Sequence, residues 1–166
     1  MKNIAIFYAS STGKTKFIAN ELSIHLEELK EYNIQVTGTE YMRDYSNIIF
    51  GISTWDGGSI QEDWKEIWDE FCEIDFSNKN VAIFGLGDQK KYPDKFVAAM
   101  KPLYDQLKSA GANVIGFTST EDYNFKYSDA IEDGQFVGLV LDLENQSELT
   151  TSRIEDWVKS LKKDFI

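Results

Sequence analysis

The sequence holds one cysteine, Cys72, one histidine, His25, and two prolines. It has no apolar run near the ~18 residues that a membrane-spanning helix needs. A lone cysteine excludes an internal disulfide, a Cys-x-x-Cys redox pair and a cysteine-ligated iron–sulfur cluster, so any redox chemistry has to come from an organic cofactor. His25 falls on the apolar stripe of the first predicted helix, far along the chain from the loops singled out below. It reads as structural, and neither a catalytic residue nor a metal site is expected. Basic residues are also in short supply: 17 Lys and Arg stand against 28 Asp and Glu, a formal net charge of −11. Such a field repels nucleic acid and anionic membrane, and it steers basic protein surfaces inward with an attraction that salt weakens. Met1-Lys2-Asn3 runs directly into a strand-like stretch with neither leader nor cleavage signal, so a cytoplasmic protein is expected.

What is present suits one globular core. The chain has 166 residues, of which 42% are hydrophobic and 14% aromatic, too few for two ordinary domains and too apolar for disorder. A single domain over residues 1–166 is expected. Ile4 to Ala9, Ile48 to Ser53 and Val81 to Gly87 are apolar nearly throughout, the pattern of parallel strands covered on both faces. Val114 to Thr118 and Phe136 to Leu141 are further strand candidates, and Ile34 to Thr37 is a weaker one. Between them lie helical patterns over Thr15 to Lys30, Gln61 to Glu73, Asp94 to Ala110 and Thr151 to Lys163. In the second of these Trp64, Ile67, Trp68, Phe71 and Cys72 point inward. Strand and helix alternate from end to end. This predicts an α/β three-layer doubly wound fold, with five parallel strands in the order 2-1-3-4-5 and helices on both faces. A ligand in such a sheet sits beyond the carboxyl ends of the strands, which directs attention to the loops after Ala9, Ser53 and Gly87.

The first of these loops is Ser10-Ser11-Thr12-Gly13-Lys14-Thr15, leading into a helix. A phosphate there meets free amides at the positive end of a helix dipole together with several hydroxyl donors. A simple helix cap would need one such residue, not four. Gly13-Lys14-Thr15 has the look of the end of a Walker A motif, but the glycine required five positions earlier is Tyr8, and the loop is too short to wrap a polyphosphate. The loop suits one terminal phosphate monoester held by neutral donors.

Three blocks together resemble the flavodoxin family, in its long-chain branch. They are the loop just described, with Thr12 to Thr15 matching the family's inner Thr-Gly-x-Thr; Gly51-Ile52-Ser53-Thr54-Trp55-Asp56-Gly57-Gly58; and Phe84-Gly85-Leu86-Gly87-Asp88-Gln89 followed by Tyr92. The stretch from about Ser119 to Gln135 resembles the insertion that interrupts the fifth strand in long-chain members, and Phe136 to Leu139, Leu141-Asp142 and Asn145-Gln146 are similar to that branch. The resemblance implies non-covalent FMN, with its phosphate on Ser10, Ser11, Thr12, Gly13, Lys14 and Thr15. Its ring would lie between Trp55 and Tyr92, beside Thr54, Asp56, Gly57, Gly58, Leu86, Gly87, Asp88 and Gln89.

It further implies a monomeric, low-potential one-electron carrier passing through quinone, semiquinone and hydroquinone states. Its partners would be basic surfaces of redox proteins such as ferredoxin/flavodoxin–NADP reductases and low-potential oxidoreductases. An electron shuttle has no substrate of its own. An FMN-dependent quinone reductase would need room over the ring that Trp55 and Tyr92 take up, and a signalling receiver would need acidic residues where Ser10-Ser11 and Thr54-Trp55 stand. A cofactor state held tenfold more weakly has its one-electron potential shifted by about 59 mV. Enclosure by aromatics in an acidic protein is therefore expected to lower the second potential, and a peptide carbonyl at Asp56-Gly57-Gly58 to accept from the semiquinone N5–H. Lys90 and Lys91 depart from the family pattern: turned toward the ring they raise that potential, and turned outward they do nothing to it. The acidic face from Glu62 to Glu73 reads equally as a guide for partners or as a solvated helix face. The insertion reads equally as a docking element or as packing on the sheet edge.

Overall fold

Strand β1 (Ile4–Tyr8) is buried along its whole length, and its side chains alternate between two cores. Ala5 and Phe7 enter one, while Ile4, Ile6 and Tyr8 enter the other. A computed structural model describes residues 3–55 and 57–165. After β1 come α1 (Lys14–His25), β2 (Lys30–Asn33), α2 (Ile34–Thr37), β3 (Asn47–Trp55), β4 (Ser59–Ile60), α3 (Glu62–Cys72), β5 (Asn80–Leu86) and α4 (Met100–Ser109). The remainder is β6 (Asn113–Ile115), β7 (Thr118–Ser119), β8 (Ile131–Glu132), β9 (Gln135–Phe136), β10 (Leu139–Leu141) and α5 (Thr150–Asp164).

The main sheet runs β10-β5-β3-β1-β2, all parallel, with β6 also parallel on β5 and the short β4 folded antiparallel onto β3. The strands of the center repeat the alternation of β1. Ile48, Phe50, Ile52, Val81 and Ile83 face Trp64 and Phe71 of α3 and Leu103 and Leu107 of α4. Ile49, Ala82, Phe84 and Leu86 face Ile18 and Leu22 of α1 and Ile154, Trp157 and Leu161 of α5. Phe50 meets Trp64, Phe71 and Phe76 edge-on with centroids 5.7, 5.5 and 5.9 Å away, the favorable geometry for aromatic rings. This is the doubly wound order that the strand and helix alternation predicts.

The fifth strand is split. β6 pairs with Asn80–Ala82 at the start of β5 and β10 with Phe84–Leu86 at its end, so two short strands together fill one edge position. Between them β7, β9 and β8 make a small antiparallel sheet. Tyr123 and Phe125 of this insertion pack against Phe96 and Phe136 with centroids 5.1 to 5.9 Å apart. The Tyr123 hydroxyl donates to the Val140 carbonyl at 2.6 Å, and the Arg153 guanidinium stacks 4.0 Å from its ring. Packing on the sheet edge thus accounts for these two aromatics, while Tyr127 stays exposed.

Several boundaries differ from the sequence reading: the expected strand Val114 to Thr118 leaves the main sheet after Ile115, and the expected strand Phe136 to Leu141 is divided between the end of β9 and β10. Ile34–Thr37 is a helical turn and not a strand: the Asn33 side chain accepts from the Gln35 amide at 3.0 Å, and Gly38 ends the turn at φ +56°. The edge strand is instead the polar Lys30–Asn33, where Lys30 and Glu31 remain in solvent and only Tyr32 stacks inward on Phe7 at 4.9 Å. Helix α1 therefore stops at His25, and Cys72 at the end of α3 is exposed. Helix α4 starts at Met100 because residues 94–99 form successive turns, one of them through Val97 at φ +48°.

Where the chain re-enters the sheet at Gly138, an added Cβ would lie 2.0 Å from the Ile83 carbonyl oxygen, a backbone atom. Gly138→Ala is expected to cost roughly 2–4 kcal/mol of unfolding free energy in urea titration. A loss below ~0.5 kcal/mol would mean that β10 need not approach β5 so closely.

Candidate functional site

The carboxyl ends of β1, β3 and β5 open into a cleft of about 360 Å³, within the range of small-molecule sites. Its walls come from four loops. Ser11, Thr12, Lys14 and Thr15 follow β1; Ser53, Thr54 and Trp55 end β3; Leu86, Gly87, Asp88, Lys91 and Tyr92 follow β5, continued by Lys95, Phe96 and Val97; Leu143 and Glu144 follow β10.

The first loop is shaped by Ser10. Its Oγ accepts from the Gly13 amide at 3.0 Å and from the Lys16 amide at 3.4 Å, so it folds the loop instead of lining the cleft. Gly13 stands at the cap of α1 with φ +89°, a conformation that favors glycine, and it brings no side chain to the helix end. The remaining first-turn amides of α1 are the groups a helix leaves for a ligand or solvent, and the Thr12 and Thr15 hydroxyls stand with them. Lys14 is ion-paired with Glu144 across the mouth. No arginine is among the described residues lining the cleft.

The opposite end carries the aromatic side chains. Trp55 is 36% exposed at the rim, its indole N–H donating to Ser53 Oγ at 2.8 Å. Thr54 Oγ1 accepts from the Ala99 amide at 3.1 Å, which ties the end of β3 to the start of α4. Tyr92 lines the cleft from the β5 loop, with the Lys91 ammonium 5.4 Å from its ring centroid. Gly57 and Gly58 form the turn from β3 to β4 at φ +72° and +124°, closed by the Gly58 amide on the Trp55 carbonyl at 3.0 Å. Asp56 lies outside the described residues.

The Tyr92 loop is held by buried polar groups. Asp142, fully buried, accepts from the Gln89 amide at 3.0 Å, from Gln89 Nε2 at 2.8 Å and from the Asn145 amide at 3.0 Å. Gln89 Oε1 accepts from the Asn124 amide of the insertion. Gln89 is thus a brace behind the cleft, not part of its lining. Burial pushes the Asp88 carboxyl up, but the amides of Lys91 and Lys90 and the Asn145 side chain outweigh it and hold Asp88 below its ordinary range.

Ten of the sixteen residues singled out from sequence meet in this cleft: Ser11, Thr12, Lys14, Thr15, Thr54, Trp55, Leu86, Gly87, Asp88 and Tyr92. Ser10, Gly13 and Gln89 shape its loops. The sequence reading missed Lys95, Phe96, Val97, Leu143 and Glu144. Leu143 and Glu144 follow the last strand, so the strand-end rule that found the other loops extends to them. Phe96 and Val97 were hidden inside an expected helix. The arrangement suits a ligand with one anionic head, met by hydroxyls and amides, and a flat aromatic body, met by Trp55 and Tyr92.

Because folding lowers the Asp88 pKa, its stabilizing contribution is complete above about pH 4 and disappears as pH falls through the lowered value. Denaturant titrations from pH 7 to pH 2.5 are expected to show wild type more stable than Asp88→Asn at neutral pH, with the gap closing in acid. A gap that is constant over this range would contradict the assignment.

The flavodoxin family model matches residues 6–157. The chain is 37% identical over 166 residues to a flavodoxin of Nostoc sp., covering 99% of this chain and 98% of the relative. It is 38% identical over 175 residues to flavodoxin 1 of Azotobacter vinelandii, covering 100% and 99%. In structure it is similar to the Fusobacterium nucleatum flavodoxin bound to flavin mononucleotide, with a TM-score of 0.96, 37% identity and 100% of both chains covered. With the three loops that carry the sequence resemblance among the four that wall the cleft, this chain belongs to the flavodoxin family.

Proposed function

We propose that this protein holds FMN without a covalent bond in the cleft and carries single electrons between larger redox enzymes. The observation that carries this reading is the juxtaposition in one cleft of a hydroxyl-rich helix N-terminus and two aromatic side chains from separate loops. The donor set fits the cofactor: Ser11, Thr12 and Thr15 with the first-turn amides of α1 take the phosphate, and Ser10 and Gly13 keep the loop open for it. The lysine at this end is neutralized by Glu144, so the phosphate is bound by neutral donors. Trp55 and Tyr92 cover the two faces of the ring, while Leu86, Phe96 and Val97 exclude water from its inner side. The glycines at 57 and 58 leave the peptide there free to reorient toward the ring edge. Bound FMN supplies the redox chemistry, accepting and releasing one electron at a time.

As a flavodoxin the chain is an electron-transfer protein and not an enzyme. Among the described residues no helix is long and apolar enough to cross a membrane. We place the protein in the cytoplasm as a monomer. Glu62, Glu66, Asp69, Glu70 and Glu73 are exposed along α3 and give basic redox partners such as flavodoxin–NADP reductases and low-potential oxidoreductases a surface of opposite charge. Lys91 lies at the cleft, whereas Lys90 is exposed outside its lining. Lys91, joined by Lys95, is then the charge that favors the anionic reduced cofactor.

Stepwise anaerobic reduction of the FMN-loaded protein, followed by absorption, tests this. Two separate one-electron steps are expected, the second shifted by roughly 20–60 mV to more negative potential in Lys91→Gln, the size of losing one charge at a half-solvated rim. A single two-electron step would contradict the carrier reading, and an unmoved second potential would contradict the role of Lys91.

A further inference from the structure

Gln61 precedes α3 and is only 2% exposed, although its side chain is wholly polar at its end. Its Oε1 accepts from the amides of Asp63 at 2.8 Å and Trp64 at 3.4 Å, which caps the helix. Its Nε2 donates to Ser11 Oγ at 2.8 Å and to Asp63 Oδ2 at 2.9 Å. The orientation of the amide has no freedom. Backbone N–H groups only donate, so the oxygen must face α3, and the nitrogen with its two hydrogens must face Ser11.

This constrains the Ser11 hydroxyl. Toward Gln61 its oxygen can only accept, so its proton is turned away from Gln61 and is available to a ligand in the cleft that Ser11 lines. An ionized phosphate monoester presents acceptors, which a serine rotor satisfies only when its proton points at them. We propose that Gln61 is a positioning residue that locks Ser11 as a hydrogen-bond donor to the phosphate of FMN. The inference rests on the reading above that this loop takes the phosphate. It also accounts for the choice of cap: Ser, Thr, Asp or Asn usually cap helices, but only a longer amide caps α3 and reaches across to the first loop as well.

FMN and riboflavin affinities, measured by flavin fluorescence quenching, test the lock, because riboflavin has the same ring and side chain without the phosphate. In Gln61→Met, FMN is expected to bind about tenfold more weakly, the effect of one hydrogen bond to a charged group, with riboflavin changed less than about twofold. Added to Ser11→Ala, the same substitution should lower the FMN-to-riboflavin ratio no further, since the two residues act as one unit. Equal weakening of both ligands, or an undiminished effect in the Ser11→Ala background, would overturn the proposal and leave Gln61 as a helix cap alone. If Gln61→Met does not fold, Gln61→Ser keeps a cap on α3 but cannot reach Ser11, and it should lower the ratio in the same way. An unchanged ratio there overturns the proposal equally. Failure of the underlying reading is distinguishable, because it appears in the wild type as FMN bound no more tightly than riboflavin.

Discussion

The parallel register of β1, β3 and β5 is the constraint on which the rest of the molecule depends. Tyr8 lies opposite Gly51, and Gly51 opposite Phe84, so the three strands deliver their following loops to the same edge of the sheet. Parallel strands demand crossover helices, and the helices bury both faces, which is why these strands are apolar almost without interruption. Polar groups enter the sheet mainly at its ends. At the amino end Asn80 donates to the Asp164 carbonyl at 3.0 Å and accepts from Asn113 at 2.8 Å, pinning β5, β6 and the end of α5 together. At the carboxyl end the same geometry leaves the cleft.

The site is then assembled by braces, of which Gln61 and Gln89 stand behind the cleft and Thr54 stands in its wall. Gln61 links α3 to the first loop, Thr54 links β3 to α4, and Gln89 links the third loop to Asp142 and to the insertion. Each is a hydrogen bond between segments distant in sequence, and each holds a loop that would otherwise be free to move. The insertion contributes through Asn124 and through Tyr123 and Phe125, so it supports the Tyr92 loop from behind as well as covering the sheet edge. Three lysines and two acids line the cleft of a chain whose formal charge is −11, and with Lys14 paired to Glu144 the balance there rests on Lys91 and Lys95 against Asp88.

Much of this was legible in the sequence, and the parts that were not share a physical cause. Apolar strands, the hydroxyl loop ahead of a helix, and aromatics after strand ends are local signals, and they located the three loops and the split fifth strand. Ile34–Thr37 misled because an edge strand has little need of apolar residues, so the polar Lys30–Asn33 took the strand position while Asn33 capped a turn. Residues 94–99 carry a helical pattern, yet they form turns that bring Lys95, Phe96 and Val97 to the cleft. The pairings of Gln61 with Ser11 and of Glu144 with Lys14 were invisible because the partners lie 50 and 130 residues apart, beyond the reach of any spacing rule.

In the proposed function the loops after β1, β3 and β5 close on one flavin. A crystal structure of the protein with FMN tests it most directly. The phosphate is expected on the Ser11, Thr12 and Thr15 hydroxyls and the first-turn amides of α1, with the ring between Trp55 and Tyr92. Flavin bound outside this cleft, or lodged in it with its phosphate toward Lys91 and Lys95, would overturn this placement.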